Sequence, residues 1–316
     1  MDTDFREDMA ETLPVADKNP LERHLLVTVS EDTAHQYGLR FVGSFLHGRE
    51  TLKVTLFYVA PLPPQAYGKP DFLAPEHADL SDRSGEARGR RALDKAAKAL
   101  AAMGLPPERI RTRFQYRNYS TAHDILTEAQ HGLYDAVVLG HRGVSSLEQF
   151  WNPSVGRTLL DTAVALPLWV CRRPDYTHRH VLLCVDGSGP CLCMVDHVGF
   201  MLAQEDGHHV TLFVVQSPSQ SNGSNGEDQA ATSHIFGLAR KTLLDNGLPA
   251  ERIQTKAVTS PDTAAAILEE AREGRYAVVA MGRTGRSHGF LKRIFLGSVS
   301  TTVFSGLENA VLWICQ

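Results

Sequence analysis

GLPPERIRT, residues 104–112, returns as GLPAERIQT, residues 247–255. Working outward, three more pairs keep the same order: HLLVTV (24–29) with HVLLCV (180–185), VTLFYV (54–59) with VTLFVV (210–215), and PLWVC (167–171) with VLWIC (311–315). Four ordered matches indicate a tandem duplication, and a repeat this long is a whole domain rather than a solenoid unit. A chain of 316 residues suits two domains. The polar stretch CRRPDYTHRH, 171–180, contains Pro174 and marks the boundary, which gives domains over 21–174 and 178–316. Residues 1–20 are acidic, lack the apolar core of a signal peptide, and read as a flexible tail.

Both halves alternate strand and helix signals. In the second, HVLLCV and VTLFVV are apolar strands, SHIFGLARKTLLDN (233–246) has helical periodicity ending at Gly247, and IQTKAV is a third strand. Ser260, Asp262 and Thr263 supply caps for AAAILEEAREG, followed by the strands YAVVAM and AVLWIC. RRALDKAAKALAAMG and STAHDILTEAQHG hold the matching helical places in the first half. Strands apolar throughout are buried on both faces, as in a parallel sheet covered by helices. The expected fold is α/β, with two tandem doubly wound domains. Segments 61–85 and 216–229 read as mobile surface loops at the carboxyl ends of strands.

A net charge of −4 and a pI near 6.4 provide no global basic field for nucleic acid or anionic membrane. No run of 18 apolar residues predicts a membrane span. The five cysteines, three of them in apolar strands, read as reduced thiols and suggest a cytoplasmic protein.

The strand YAVVA opens into MGRTGRSHGFLKRIFLGSVS, 281–300. In an open α/β sheet, ligands bind beyond the carboxyl ends of the strands, where strand order reverses. Gly282 and Gly285 permit close backbone approach. Gly297 and Ser298 precede VSTTVFSG, whose helical N-terminus would favour a phosphate. Arg283, Arg286, Lys292 and Arg293 add local positive charge. Ordinary turns are the alternative reading, and neither GxxxxGK[ST] nor GxGxxG is present.

The ordered set Asp186-Gly187-Ser188, VTLFVV, MGRTG and LGSVS, in a chain that carries it over both halves, resembles the universal stress protein family. The resemblance implies a five-stranded parallel sheet with helices on both faces (adenine-nucleotide-hydrolase-like) in each half. It implies binding of ATP or AMP, with or without Mg, through Gly-x2-Gly-x9-Gly-Ser/Thr. By position, Asp186 and Val215 would border the adenine, Met281, Gly282 and Gly285 the ribose, and Gly297, Ser298 and Val299 the phosphates. It also implies pairing through the last strands, here an intrachain pseudo-dimer, and leaves a homodimer open. Catalysis would be at most slow ATP hydrolysis or autophosphorylation on a loop serine such as Ser217, Ser219 or Ser221. A nucleotide-free interaction module is the other alternative.

Two departures qualify the resemblance. Eleven residues, not nine, separate Gly285 from Gly297. In the first half Gly140 and Gly143 remain, but Pro153-Ser154 stands where the pattern needs Gly-Ser, and proline has no N–H to offer a phosphate. The first half therefore reads as a degenerate copy. Cys191, Cys193 and His197 sit in one helical segment, where residues two apart diverge, so a metal site is disfavoured. His141 and His288 beside the glycine loops, and the linker histidines His178 and His180, read as surface residues. Trp169 and Trp313 read as core or interface packing.

Overall fold

The computed structural model describes residues 21–32, 36–62, 76–140, 166–218, 225–282 and 298–315. The first half contains β1 (Arg23–Thr28), α1 (Tyr37–Phe45), β2 (Leu52–Ala60), α2 (Glu76–Ala102), β3 (Ile110–Tyr116), α3 (Thr121–His131), β4 (Ala136–Leu139) and β5 (Leu168–Val170). The second contains β6 (Val181–Cys184), α4 (Gly189–Leu202), β7 (Val210–Gln216), α5 (Asn225–Asp245), β8 (Ile253–Thr259), α6 (Thr263–Glu273), β9 (Val278–Gly282), α7 (Ser298–Gly306) and β10 (Val311–Cys315).

Strand order is β3-β2-β1-β4-β5 in the first half and β8-β7-β6-β9-β10 in the second, with every pairing inside a half parallel. The last strands, β5 and β10, pair antiparallel with Trp169 opposite Trp313, so the two five-stranded sheets form one ten-stranded sheet. Alternate side chains go to opposite faces. Leu25 and Val27 join a core with Phe41 of α1, Leu93 of α2, Met194 of α4 and Leu243 of α5. Leu26 joins a second core with Ile125 of α3, Ile267 of α6 and Val303 of α7. Each core runs through both halves.

Two segments expected as loops are partly helical. α2 begins at Glu76 and α5 at Asn225, inside 61–85 and 216–229. Their Ser, Asp, Asn and Gly residues disfavour helix by local propensity. The helix propagates into them from turns anchored by buried Leu93, Ala96 and Leu100 in α2, and Ala239 and Leu243 in α5.

The seam is polar at chosen points. The two tryptophans stack with centroids 4.0 Å apart and planes 8° from parallel. Trp169 Nε1 donates to His197 Nε2 of α4 over 3.0 Å, and burial lowers the His197 pKa to about 3, so the ring stays a neutral acceptor. Phe41 and Phe45 of α1 meet Trp169 and Trp313 edge-on. At the opposite end of the strands, fully buried Arg23 donates to Glu205 at 2.7 Å, and also to the carbonyls of Met201 and Gly48. Glu205 in turn accepts the N–H groups of His47 and Gly48. One carboxylate from the second half thus ties the α1–β2 loop and the first strand of the first half.

Candidate functional site

In the second half β6 lies between β7 and β9, so chain order reverses beside it. This is the position where an open α/β sheet leaves a crevice. Val185 continues β6 by donating to Phe213 O at 2.9 Å. The chain then turns sharply. Asp186 Oδ1 accepts from Ser188 N at 3.0 Å and from Ser188 Oγ at 2.6 Å, while Gly187 adopts φ +74°, a conformation that favours glycine. Ser188 Oγ then accepts from Cys191 N at 3.3 Å, and Pro190 fills the first turn of α4.

Gly282 ends β9 against that same turn. A Cβ there would lie 2.3 Å from Cys191 N and 2.5 Å from Pro190 C, both backbone atoms. Helix-on-strand packing alone therefore demands glycine at this position.

A cavity of about 790 Å³ opens beside the turn, a size suited to a drug-sized ligand. Asp186, Val214, Val215 and Gln216 wall it from the strand ends, Thr232, Ile235 and Phe236 from α5, and Ala257 and Thr259 from β8. Gln216 Nε2 donates to Thr232 Oγ1 at 2.8 Å, which ties strand to helix across the wall.

Of the residues singled out in the sequence, Asp186 and Val215 border this cavity. Met281 and Gly282 end the next strand, paired with Cys184 and Cys315. Ser298 opens α7, and Val299 is half-buried behind it. Gly285, Gly297, Arg283, Arg286, His288, Lys292 and Arg293 lie outside the described residues, as do His141, Gly143, Pro153, Ser219 and Ser221. Ser217 lines the cavity rim. Gln216, Thr232, Phe236, Ala257 and Thr259 were not anticipated. The signal that finds them is the repeat itself, compared position by position.

The matching place in the first half has different chemistry. Pairs Tyr58↔Phe114 and Ala60↔Tyr116 of β2 and β3 correspond in register to Val214↔Ala257 and Gln216↔Thr259. Tyr58 stacks on Phe114 at 5.9 Å, and Phe114 meets Tyr116 edge-on at 5.1 Å. Tyr58 OH donates to Glu31 at 2.8 Å, and the Arg90 guanidinium lies 5.5 Å from the Phe114 ring centre. Gly89 of α2 faces this cluster; a Cβ there would sit 2.7 Å from both Tyr58 and Phe114.

Cys191 is buried, Cys193 is exposed, and His197 is engaged by Trp169. Among the described residues no group of His, Cys, Asp and Glu is arranged to hold a metal. No helix among them is long and apolar enough to cross a membrane.

A model of the universal stress protein family matches residues 22–172 and again 177–314. The fold is similar to that of a universal stress protein from Archaeoglobus fulgidus DSM 4304, at 17% identity and a TM-score of 0.61, covering 94% of this chain and 97% of that one. It is also similar to a functionally unknown protein from Pseudomonas aeruginosa PAO1, at 14% identity and a TM-score of 0.53, covering 93% and 92%. A universal stress protein in complex with cAMP matches at 22% identity and a TM-score of 0.34, over 43% of this chain and 95% of that one. No curated protein matches.

Proposed function

Because the chain belongs to the universal stress protein family, we propose that its second half is a regulatory site for an adenine nucleotide, ATP or AMP. The observation that carries this reading is the cavity at the carboxyl ends of β6 and β7, next to the strand-order reversal, bordered by Asp186 and Val215, the two positions the family motif assigns to the base. The base enters between β7 and α5, where Val214, Ile235 and Phe236 offer apolar surface and Gln216 and Thr232 offer hydrogen bonds. The ribose follows Met281 and Gly282. The phosphates, with or without Mg, are held by Gly285, Gly297, Ser298 and Val299, assisted by the basic residues between them and the start of α7. The first half, with Pro153 in its motif, takes no nucleotide and serves as the partner domain.

Occupancy, rather than turnover, is the signal. Among the described residues lining the cavity the one carboxylate is Asp186, and it is already bonded to Ser188. A general base for hydrolysis is not supplied there.

The test is to denature the purified protein, identify any released nucleotide by chromatography, and titrate ATP into the stripped protein by calorimetry. Binding that falls at least tenfold in Asp186→Ala and in Gly297→Pro supports the site. No released nucleotide and no heat would leave the chain as an interaction module.

A further inference from the structure

We propose that the first half fills its own base pocket, and that three positions decide which half admits a base. The inference rests on the nucleotide reading above and adds what selects between the halves. The positions are matched by register, not by resemblance of residues. β2 and β3 align with β7 and β8 through identical parallel pairings, Val54↔Ile110 and Val210↔Ile253. The helices align through their shared ends, where Leu105 N–H bonds Leu100 O and Leu248 N–H bonds Leu243 O. On this frame Tyr58 replaces Val214, Phe114 replaces Ala257, and Gly89 replaces Thr232.

The replacements compensate one another in volume. Two strand positions gain aromatic rings, and the helix position facing them loses its side chain altogether. Gly89 is required by the rings, since even a Cβ would approach both within 2.7 Å. In the second half the strand residues are small, Thr232 has room for its side chain, and a cavity of about 790 Å³ remains beside them. The stacked Tyr58 and Phe114 thus lie on the helix side of the strands where a flat purine would lie between β7 and α5. The Tyr58 hydroxyl is satisfied by Glu31, beyond the end of β1, as a ligand's polar edge would be. Interiors tolerate such exchanges when total volume is kept. The first half is therefore held closed by its own side chains, independently of Pro153.

The test moves the filling trio into the second half. Val214→Tyr, Thr232→Gly and Ala257→Phe are combined in the full chain, and adenosine and ATP are titrated by calorimetry. Adenosine probes the base pocket without the phosphate loop. The expected result is at least a hundredfold loss of affinity for both ligands, with a thermal midpoint close to that of the parent, because the same trio already packs in the first half. Should the triple variant melt early, Ala257→Phe alone serves, with at least a tenfold loss expected. A parent that binds adenosine beside a folded variant that binds within threefold overturns the assignment and leaves the nucleotide reading standing. A parent that binds neither ligand overturns both.

Discussion

Single residues show how closely the duplication has been kept. Tyr134 OH donates to Glu128, which also meets Arg113; Tyr276 OH donates to Glu270, which also meets Lys256. Leu133 and Arg275, just before these tyrosines, both sit at φ +51°. Against that constancy, the differences at Tyr58, Gly89 and Phe114 stand out as changes of role. Gly282 carries a separate constraint. Its Cα faces the backbone of Pro190 and Cys191 too closely for any side chain. Gly282→Ala is expected to destabilise the protein by about 1–3 kcal/mol, read from the urea midpoint. A midpoint equal to that of the parent would show that the first turn of α4 moves freely. The sequence directed attention to Gly282, but as a point of ligand approach. Its packing role was hidden because the contact is with backbone ninety residues away.

At the scale of elements, α4 meets both regions of interest. Its first turn is built on Asp186 and Ser188 at the cavity, its middle carries His197 to Trp169, and Met201 in its last turn and Glu205 just beyond it receive Arg23. Removing one member of a buried ion pair leaves the other charge uncompensated, at a cost of about 3–5 kcal/mol. Glu205→Ala should destabilise by that amount in chemical denaturation, whereas the joint change Arg23→Met with Glu205→Leu should recover part of the loss. Equal destabilisation in the single and joint variants would mean that the pair is not the source. Strands were legible in the sequence because a strand buried on both faces admits few polar residues; β9 and β10 are almost wholly buried. The early turns of α2 and α5 were not, since they depend on helix packed further along. The cavity wall was also hard to read. It gathers a glutamine, a threonine and an alanine from three elements, none of which carries a motif.

The described strands form one sheet, and the cores and seam around it belong to both halves. The pairing of the last strands, which the family resemblance implied, is realised as Trp169 against Trp313. Burial gives this seam a pH dependence. Desolvation lowers His197 to about 3 and His208, which packs edge-on against Phe45 of the other half, to about 4, from an ordinary value of 6.5. Below pH 6.5 the unfolded chain takes up protons that the folded chain refuses. Stability is therefore full above that value and falls as pH drops toward 4, by roughly 1.4 kcal/mol per unit for each ring. His197→Gln should flatten the dependence of the urea midpoint between pH 6.5 and 4; an unchanged slope would exclude His197 as a contributor. The same burial protects thiols. Cys171 and Cys315 are fully buried, Cys191 is nearly so and Cys193 is exposed. A bulky thiol reagent is expected to modify Cys193 first in the native protein, and rapid reaction of Cys171 or Cys315 would contradict a closed seam.

The asymmetry between two halves of one fold is the central claim, and stoichiometry tests it most directly. Native mass spectrometry of the full chain with excess ATP should show one nucleotide per chain, lost in the variant filled at Val214, Thr232 and Ala257. Two nucleotides per chain, or one that survives the filling, would contradict the account.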